Sequence, residues 1–558
     1  MQQTFLSLST CLFLFVSISS QAVDDESTVT GWIFDEGTGK AMSARLYIES
    51  ESGEFHLAKP ADALGSSVTY DRKRSKYSVE KHTCLSAHPF EAALQPGKYT
   101  FTAERGHEYL TTSVEVEIKA GETTEIELRL PRWINMSERG WFSGETHCHR
   151  DLGEMTVLME AEDLNVTFPL TGWVTDTTKS PANPEDNKVK VSADGLKPAG
   201  MEINVGENRT MWAMNTEYEI FSVDGAKHTL GAFFVLNHKE PLEDLVPPVG
   251  PLFEKLTEKG ALIEMDKHNW PWTLMLPTVL KKNGLFELSN NHVWRTQFGV
   301  KDWYPEMMAD YMAIPATSDG SGYDEEGWLS FGFQTYYALL NSGFKLRPTA
   351  GTGSGVHPVQ LGFSRVYVKP AEGKFSYENW VTGLREGNSF ITTGPMLSIT
   401  VAEKPLGTEL DEDAAKKLDD NEVDVIGTIE SPFSIERLEI IVNGKPIPVE
   451  VGGPIGSKAP HSAFVREKVK LEGESWVAFR AFARTSEGRI RFAHTAPVWI
   501  DAKGKSLLPS VLEAKYLRDR MREEIARNTN VISEEALAEF QAAEKFYNDL
   551  LQQAAKED

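Results

Sequence analysis

The chain has 558 residues, a formal net charge of −25 and a sequence pI near 5.1. This length exceeds what one hydrophobic core supports, and domains of roughly 100 to 200 residues predict about three or four of them. Because Asp and Glu outnumber Lys and Arg by 82 to 57, and the basic residues rarely cluster, we expect no basic face for nucleic acid.

An apolar run opens the chain at residues 5–19, and Ser20, Gln21 and Ala22 follow it. This pattern predicts a signal peptide over residues 1–22 and an exported protein, periplasmic or extracellular. No Lys or Arg precedes the run, so a membrane anchor is the alternative. The run is shorter than the ~20 residues that span a bilayer, and no later run replaces it, so no integral span is expected after leader removal.

Residues 23–132 have the alternating pattern of an antiparallel β domain, with a break at residues 35–39 and a Pro96-Gly97 turn. The phrase PGKYTFTAERG at residues 96–106 resembles the carboxypeptidase-regulatory-like β-sandwich. The resemblance implies a non-catalytic module beside an enzyme.

Residues 133–395 mix helical and strand patterns, and apolar spacings of three and four predict helices over residues 152–164 and 328–340. Alternation returns over residues 396–503 with an Asn443-Gly444 turn, which predicts a second β-sandwich. Residues 504–558 carry two amphipathic stripes. They predict a helical tail that packs on the body or on a second subunit, making a homo-oligomer possible.

Seven of the 13 histidines lie between positions 147 and 357: His147, His149, His228, His238, His268, His292 and His357. Residues two apart on a strand face the same way, so His147 and His149 would present two imidazoles to one metal ion. Two ordinary polar or core histidines are the alternative. The clustering favours a metal site.

The stretch GWFSGETHCHR at residues 140–150, followed by AEDLNV at 161–166, resembles the carbaryl-hydrolase-like (CehA/McbA-type) metallohydrolases. These form a branch of the polymerase-and-histidinol-phosphatase (PHP) superfamily. The resemblance continues through NTEYE at 215–219, KHTLG at 227–231, LLNSGF at 339–344, AGTGSGVH at 350–357 and Gly394-Pro395. It implies a multi-domain α/β plus all-β protein, in which two β-sandwiches flank a PHP-like distorted β/α barrel and a helical tail follows.

The resemblance also implies a ligand set and a cofactor. His147 and His149 match the first metal motif, Glu217 the bridging carboxylate, and His228, His268 and His357 the later histidines. Neutral imidazoles and a carboxylate suit a divalent transition metal, Zn, Fe or Mn.

Two departures reduce the expected number of ions to one or two. Residues 170–173 read LTGW where many PHP domains have Thr-Asp-His, and GSG at 353–355 lacks the Asp of the terminal motif. Asp163, Asp176 or Glu287 are candidate substitutes, and spacing does not choose among them.

Four further residues have competing interpretations. His238 and His292 are left outside the metal set as structural histidines. Cys148 points opposite its neighbours on a strand, so we expect it in the core, and we expect no structural disulfide. Arg150 either steers a polar or anionic substrate group or forms a structural ion pair.

Together these patterns predict hydrolysis of a small-molecule ester, carbamate or phosphoester by metal-bound hydroxide, with Glu217 or a neighbouring acid moving the proton. The rival hypothesis is a secreted binding protein whose PHP-like domain is degenerate and inactive. Metal content distinguishes the two.

Overall fold

The computed structural model describes residues 27–75, 78–188, 201–281, 284–295, 307–316, 323–450 and 460–557. The predicted signal peptide lies outside the described residues. The fold is mixed α/β, as the sequence predicts, and more of the described residues lie in strands than in helices.

Two sheets with one apolar core form the N-terminal region. Their sequence alternates because one face of each sheet is buried against the other: Val29, Phe90 and Leu128 of one sheet share a core with Leu46 and Phe101 of the other. The strands are β1 (Ser27–Asp35), β2 (Ala44–Ser50), β3 (Phe55–His56), β4 (Lys59–Pro60), β5 (Ser67–Ser75), β6 (Ser78–Leu85), β7 (Phe90–Leu94), β8 (Gly97–Glu104), β9 (Thr112–Ile118) and β10 (Thr123–Leu130). Their orders are β10-β1-β7-β4 and β5-β6-β2-β8-β9, with β3 on β2.

The central region alternates strands and helices. Its strands are β11 (Phe142–Cys148), β12 (Val166–Pro169), β13 (Gly172–Asp176), β14 (Glu202–Gly206), β15 (Arg209–Trp212), β16 (Thr216–Val223), β17 (Ala226–Leu236), β18 (Leu262–Met265), β19 (Gly284–Ser289), β20 (Leu346–Ala350), β21 (Arg365–Val368) and β22 (Ser389–Thr392). Its helices are α1 (Met155–Ala161), α2 (Gly250–Glu258), α3 (Leu276–Leu280), α4 (Glu325–Asn341) and α5 (Tyr377–Glu386). The helices predicted at residues 152–164 and 328–340 correspond to α1 and α4.

Strand order in the central region brings distant segments of the chain together. One sheet has the order β13-β16-β17-β18-β19-β20, in which β18, β19 and β20 are parallel. After β20 the chain passes beside β11. There the N–H groups of Thr352 and Gly353 donate to the carbonyl oxygen of His147, at 3.2 and 2.8 Å. The end of β11 therefore lies beside the ends of β19 and β20.

The C-terminal strands are divided between a separate sheet and the sheet that contains β11. They are β23 (Met396–Val401), β24 (Glu409–Leu410), β25 (Glu422–Ser431), β26 (Ser434–Val442), β27 (Lys445–Val449), β28 (His461–Lys470), β29 (Ser475–Arg484), β30 (Ile490–Thr495) and β31 (Val498–Ile500), with the short α6 (Glu412–Ala415). Strands β23, β25 and β28 make a separate sheet, whereas β30 pairs with β22 and continues the sheet that contains β11. Strands on both sides of residue 395 thus share one sheet.

The tail forms two helices, α7 (Val511–Asn528) and α8 (Glu534–Glu557), which pack on the body. Ser510 and Glu513 form a capping box at the start of α7. The Glu539 carboxylate accepts hydrogen bonds from the N–H groups of Val249 and Gly250 at the start of α2. Among the described residues, none of the helices combines the length and the apolar character needed to cross a membrane.

Candidate metal centre

His147 and His149 point to the same side of β11 at its carboxyl end. Their Nε2 atoms lie 3.2 Å apart, and Nδ1 of His147 lies 2.8 Å from Oε1 of Glu287 on β19. The ring of His147 packs on Phe234 and that of His149 on Trp173, with centroid distances of 4.5 and 4.6 Å. The alternation of β11 therefore positions both imidazoles as predicted.

Strand β16 contributes two carboxylates. Oε2 of Glu217 lies 3.3 Å from Nε2 of His149. Glu219 is two residues further along β16, on the same face, and Trp173 Nε1 donates to its Oε2 at 3.1 Å. The Glu217 carboxyl group therefore lies next to the histidine pair, and Glu219 lies on the same face of β16.

Asp266 completes the site from the turn after β18. Its Oδ2 accepts hydrogen bonds from the Lys267 ammonium group and from Trp270 Nε1, the second at 2.7 Å. Potential ligand atoms lie within 4.8 Å of one another in three overlapping groups: His147, His149 and Glu217; His147, Asp266 and Glu287; Glu217, Glu219 and Asp266.

Two buried atoms of the proposed ligand residues make no hydrogen bond to the described residues: His149 Nδ1 and Glu217 Oε2. Asp266 and Glu287 share a side-chain hydrogen bond. Unpaired buried polar atoms are costly, and an ion would satisfy those that face it. Two imidazole nitrogens that each bind an ion at about 2.1 Å stand about 3.0 Å apart at a right angle and about 3.4 Å apart at the tetrahedral angle, and the observed 3.2 Å lies between these values. These buried groups could therefore hold a metal ion.

Burial keeps both imidazoles neutral. It lowers the pKa of His147 to about 3 and that of His149 well below its usual range. A neutral imidazole has a lone pair to donate, so both rings are in the protonation state that a metal requires.

The carboxyl groups differ in pKa because their partners differ. Burial raises the pKa of Glu217 and Glu287 well above the usual range, and raises that of Glu219 to about 7. Burial also acts to raise the pKa of Asp266, but the neighbouring Lys267 charge holds it well below its usual value. Asp266 is thus a buried carboxylate with a built-in counter-ion.

The remaining predicted site residues lie outside these three groups. Nε2 of His228 lies 2.7 Å from Oδ1 of Asn528 in the tail. His268 packs between Trp328 and Phe331, with ring centroids 4.2 and 4.7 Å away.

His357 and Arg150 contact the N-terminal region. The Tyr70 hydroxyl donates to the carbonyl oxygen of His357. The Arg150 guanidinium lies 4.0 Å from the Tyr70 ring centroid, and its Nε donates to Ser354 Oγ at 3.2 Å. Arg150 therefore has structural partners on both sides.

Of the three candidate substitutes, only Glu287 reaches the site. Asp163 pairs with Arg105, Arg132 and Arg209. Asp176 accepts hydrogen bonds from Ser222, Thr178 and Gly225.

The residues left outside the metal set have ordinary structural contacts. Cys148 is buried and free, as is Cys84, and both lie in one apolar cluster. His238 lies 3.0 Å from Thr216 Oγ1 and 2.8 Å from the carbonyl oxygen of Glu240. The His292 ring packs on Trp328, with centroids 4.7 Å apart.

Sequence reasoning missed Glu219, Asp266 and Lys267. The sequence contains a pattern that indicates Glu219. It follows Glu217 by two residues, which is the spacing that places side chains on one face of a strand. Asp266 directly follows an apolar strand, a position from which side chains often enter a site. The family resemblance implies His268, two residues later, in place of Asp266.

The residues of the site differ in burial. Glu219, Trp173 and Trp270 are half-buried, whereas His147, Glu217 and Asp266 are buried and the His149 side chain is 7% exposed.

The chain matches no known protein-family profile, and no curated protein is similar enough to count as a relative.

Proposed function

We propose that the protein is an exported metal-dependent hydrolase of the CehA/McbA type within the PHP superfamily, and that it cleaves an ester, carbamate or phosphoester. One observation carries the proposal. Two neutral imidazoles and the Glu217 carboxyl group converge in a buried site with atoms that lack hydrogen-bond partners. The buried Oε2 of Glu217 has no hydrogen-bond partner among the described residues, and an ion bound at Nε2 of His149 would satisfy it.

The donor set indicates the class of metal. Imidazole and carboxylate ligands suit Zn, Fe or Mn, and the proposed ligands are His147, His149 and Glu217, with Asp266 adjacent. Such an ion, when bound, polarises a carbonyl or phosphoryl oxygen and makes water more acidic.

Glu287 orients the histidine pair. Its Oε1 lies 2.8 Å from Nδ1 of His147, so Nε2 of that ring is left facing His149. A carboxylate on the far nitrogen of a ligand histidine fixes the ring and increases its basicity.

Glu219 is the residue best suited to accept the proton of the attacking water. Its pKa, raised to about 7 by burial, lies near the pH at which a general base is most effective. It is half-buried, whereas Glu217 is buried, and the Trp173 hydrogen bond fixes one oxygen and leaves the other available.

In this proposal the strands around the site belong to a distorted β/α barrel. Parallel pairing of β18, β19 and β20 supports this, as does the return of residues 352 and 353 to β11. Enzymes of this architecture place reactive side chains at the carboxyl ends of strands, where His149 and Asp266 lie.

Metal analysis and a substrate screen test the proposal together. Purified protein, loaded with Zn²⁺ or Mn²⁺ and then dialysed, should retain metal and hydrolyse members of an ester, carbamate and phosphoester panel. His149→Ala should lose both properties, whereas His461→Ala, at a half-buried position on β28, should keep both. A wild-type chain without metal or hydrolysis would contradict the proposal and favour a binding protein.

A further inference from the structure

The candidate site has a histidine end and a carboxylate end. At the first, the Nε2 atoms of His147 and His149 face each other 3.2 Å apart, with Glu217 beside them. At the second, ligand atoms of Glu217, Glu219 and Asp266 lie within 4.8 Å of one another. Because Glu217 belongs to both ends, the ligand atoms alone would suit two ions joined by one carboxylate.

A protein cation already occupies the carboxylate end. The Lys267 ammonium group donates to Oδ2 of Asp266, and the Lys267 side chain is only 5% exposed. Trp270 Nε1 donates to the same oxygen at 2.7 Å. Two protein donors thus engage Oδ2, and the Asp266 carboxylate also shares a hydrogen bond with Glu287.

A dication bound to this carboxylate group would stand beside a buried ammonium group. Repulsion between two cations a few ångströms apart is strong where water is excluded. The ammonium group also supplies the positive charge that buried carboxylates need, which removes much of the attraction for another cation. The charge of Lys267 also acts to lower the pKa of His147 and His149, but the ammonium group makes its hydrogen bond at the carboxylate end, to Asp266.

We infer that Lys267 takes the place of a second metal ion, so that the centre binds a single ion at the His147, His149 and Glu217 end. This inference rests on the proposed function in one respect, which is that the histidine end must bind a metal ion. A single ion leaves Glu219 uncoordinated, and therefore free to act as the base.

Titration with Mn²⁺ measures the stoichiometry directly. We expect one equivalent in the wild-type chain, with the electron paramagnetic resonance signal of an isolated Mn²⁺ ion. Lys267→Met removes the ammonium group and keeps an apolar stem of similar length, so it should bind two equivalents and give the signal of a coupled pair. Lys259→Met is the control, because Lys259 pairs with Glu240 on the surface, and it should bind one equivalent.

Each outcome has a separate meaning. Two coupled ions in the wild-type chain, or one equivalent in a folded Lys267→Met variant, would overturn the inference while leaving the metal site intact. No bound ion in the wild-type chain would contradict the proposed function itself, and this inference with it. If Lys267→Met does not fold, Lys267→Gln keeps a donor to Asp266 without the charge, and the same two equivalents are expected.

Discussion

Gly351 lies so close to His147 that a Cβ atom on Gly351 would be 2.2 Å from the Cβ atom of His147 and 2.6 Å from Oε1 of Glu287. The absence of a side chain at position 351 lets the segment after β20 return to β11. Backbone hydrogen bonds from residues 352 and 353 to His147 then hold the histidine strand in place.

Gly351→Ala should therefore disturb the site more than its single methyl group suggests. Overpacking in a filled interior costs about 1 to 3 kcal/mol, and here it acts on a proposed ligand. We expect lower stability in urea and at least tenfold weaker Mn²⁺ binding. Gly153→Ala, where a Cβ atom meets nothing within 4 Å, is the matched control. Equal metal affinity in both variants would contradict this role of Gly351.

Glu219→Gln should reduce hydrolysis by roughly 10² to 10⁴, the range typical of a lost general base. Because burial raises the pKa of Glu219, wild-type kcat/KM should rise with pH as the carboxyl group loses its proton. The variant should lack that rise but keep its bound metal. Glu207→Gln, on the surface, should match the wild type. A Glu219→Gln variant with an unchanged pH profile would exclude Glu219 as the base.

His494 should make folding stability depend on pH. His494 lies on β30 and is buried against α4; this burial lowers its pKa from 6.5 to about 3, and the ring has neutral partners in the Tyr337 hydroxyl and the Thr495 carbonyl. As the pH falls below 6.5 the unfolded chain binds the proton first, so stability is full above 6.5 and is lost progressively toward 3. The contribution to the slope approaches about 1.4 kcal/mol per pH unit.

Urea unfolding at pH 7.0, 6.0 and 5.0 measures this slope. His494→Gln should reduce the slope by up to about 1.4 kcal/mol per pH unit, whatever its effect on absolute stability. Identical slopes for wild type and His494→Gln would show that His494 does not take up the proton.

Glu539→Ala should loosen the tail. The Glu539 carboxylate accepts hydrogen bonds from the first N–H groups of α2, at 3.0 Å for Val249 and 2.7 Å for Gly250, and so caps that helix from a distant part of the chain. Caps of this kind contribute about 0.5 to 2 kcal/mol. Thermal unfolding and protease cleavage before α8 should both detect the loss. Gln541→Ala, exposed on the same helix, should have little effect, and equal behaviour of the two variants would contradict the capping role.

The sequence by itself determined the features that depend on local spacing. Alternation in β11 placed His147 and His149 on one side, and it predicted that Cys148 would face the core, where the structure has it. Apolar recurrence predicted α1, α4 and the two tail helices. Glu217 was found through a resemblance between short motifs, and the structure brings it to the histidine pair. The family itself stays a proposal.

Only the tertiary structure decided which other side chains meet that pair. Glu287 and Asp266 reach it because β19 and β18 lie in a sheet whose order local periodicity does not reveal. His228 lies instead against Asn528 of the tail, and His268 against two aromatic rings. The side-chain repeat of a strand fixes the face on which a residue lies, whereas its partner depends on strand order and on long-range packing. For that reason the sequence predicted the histidine pair but not the buried lysine beside it.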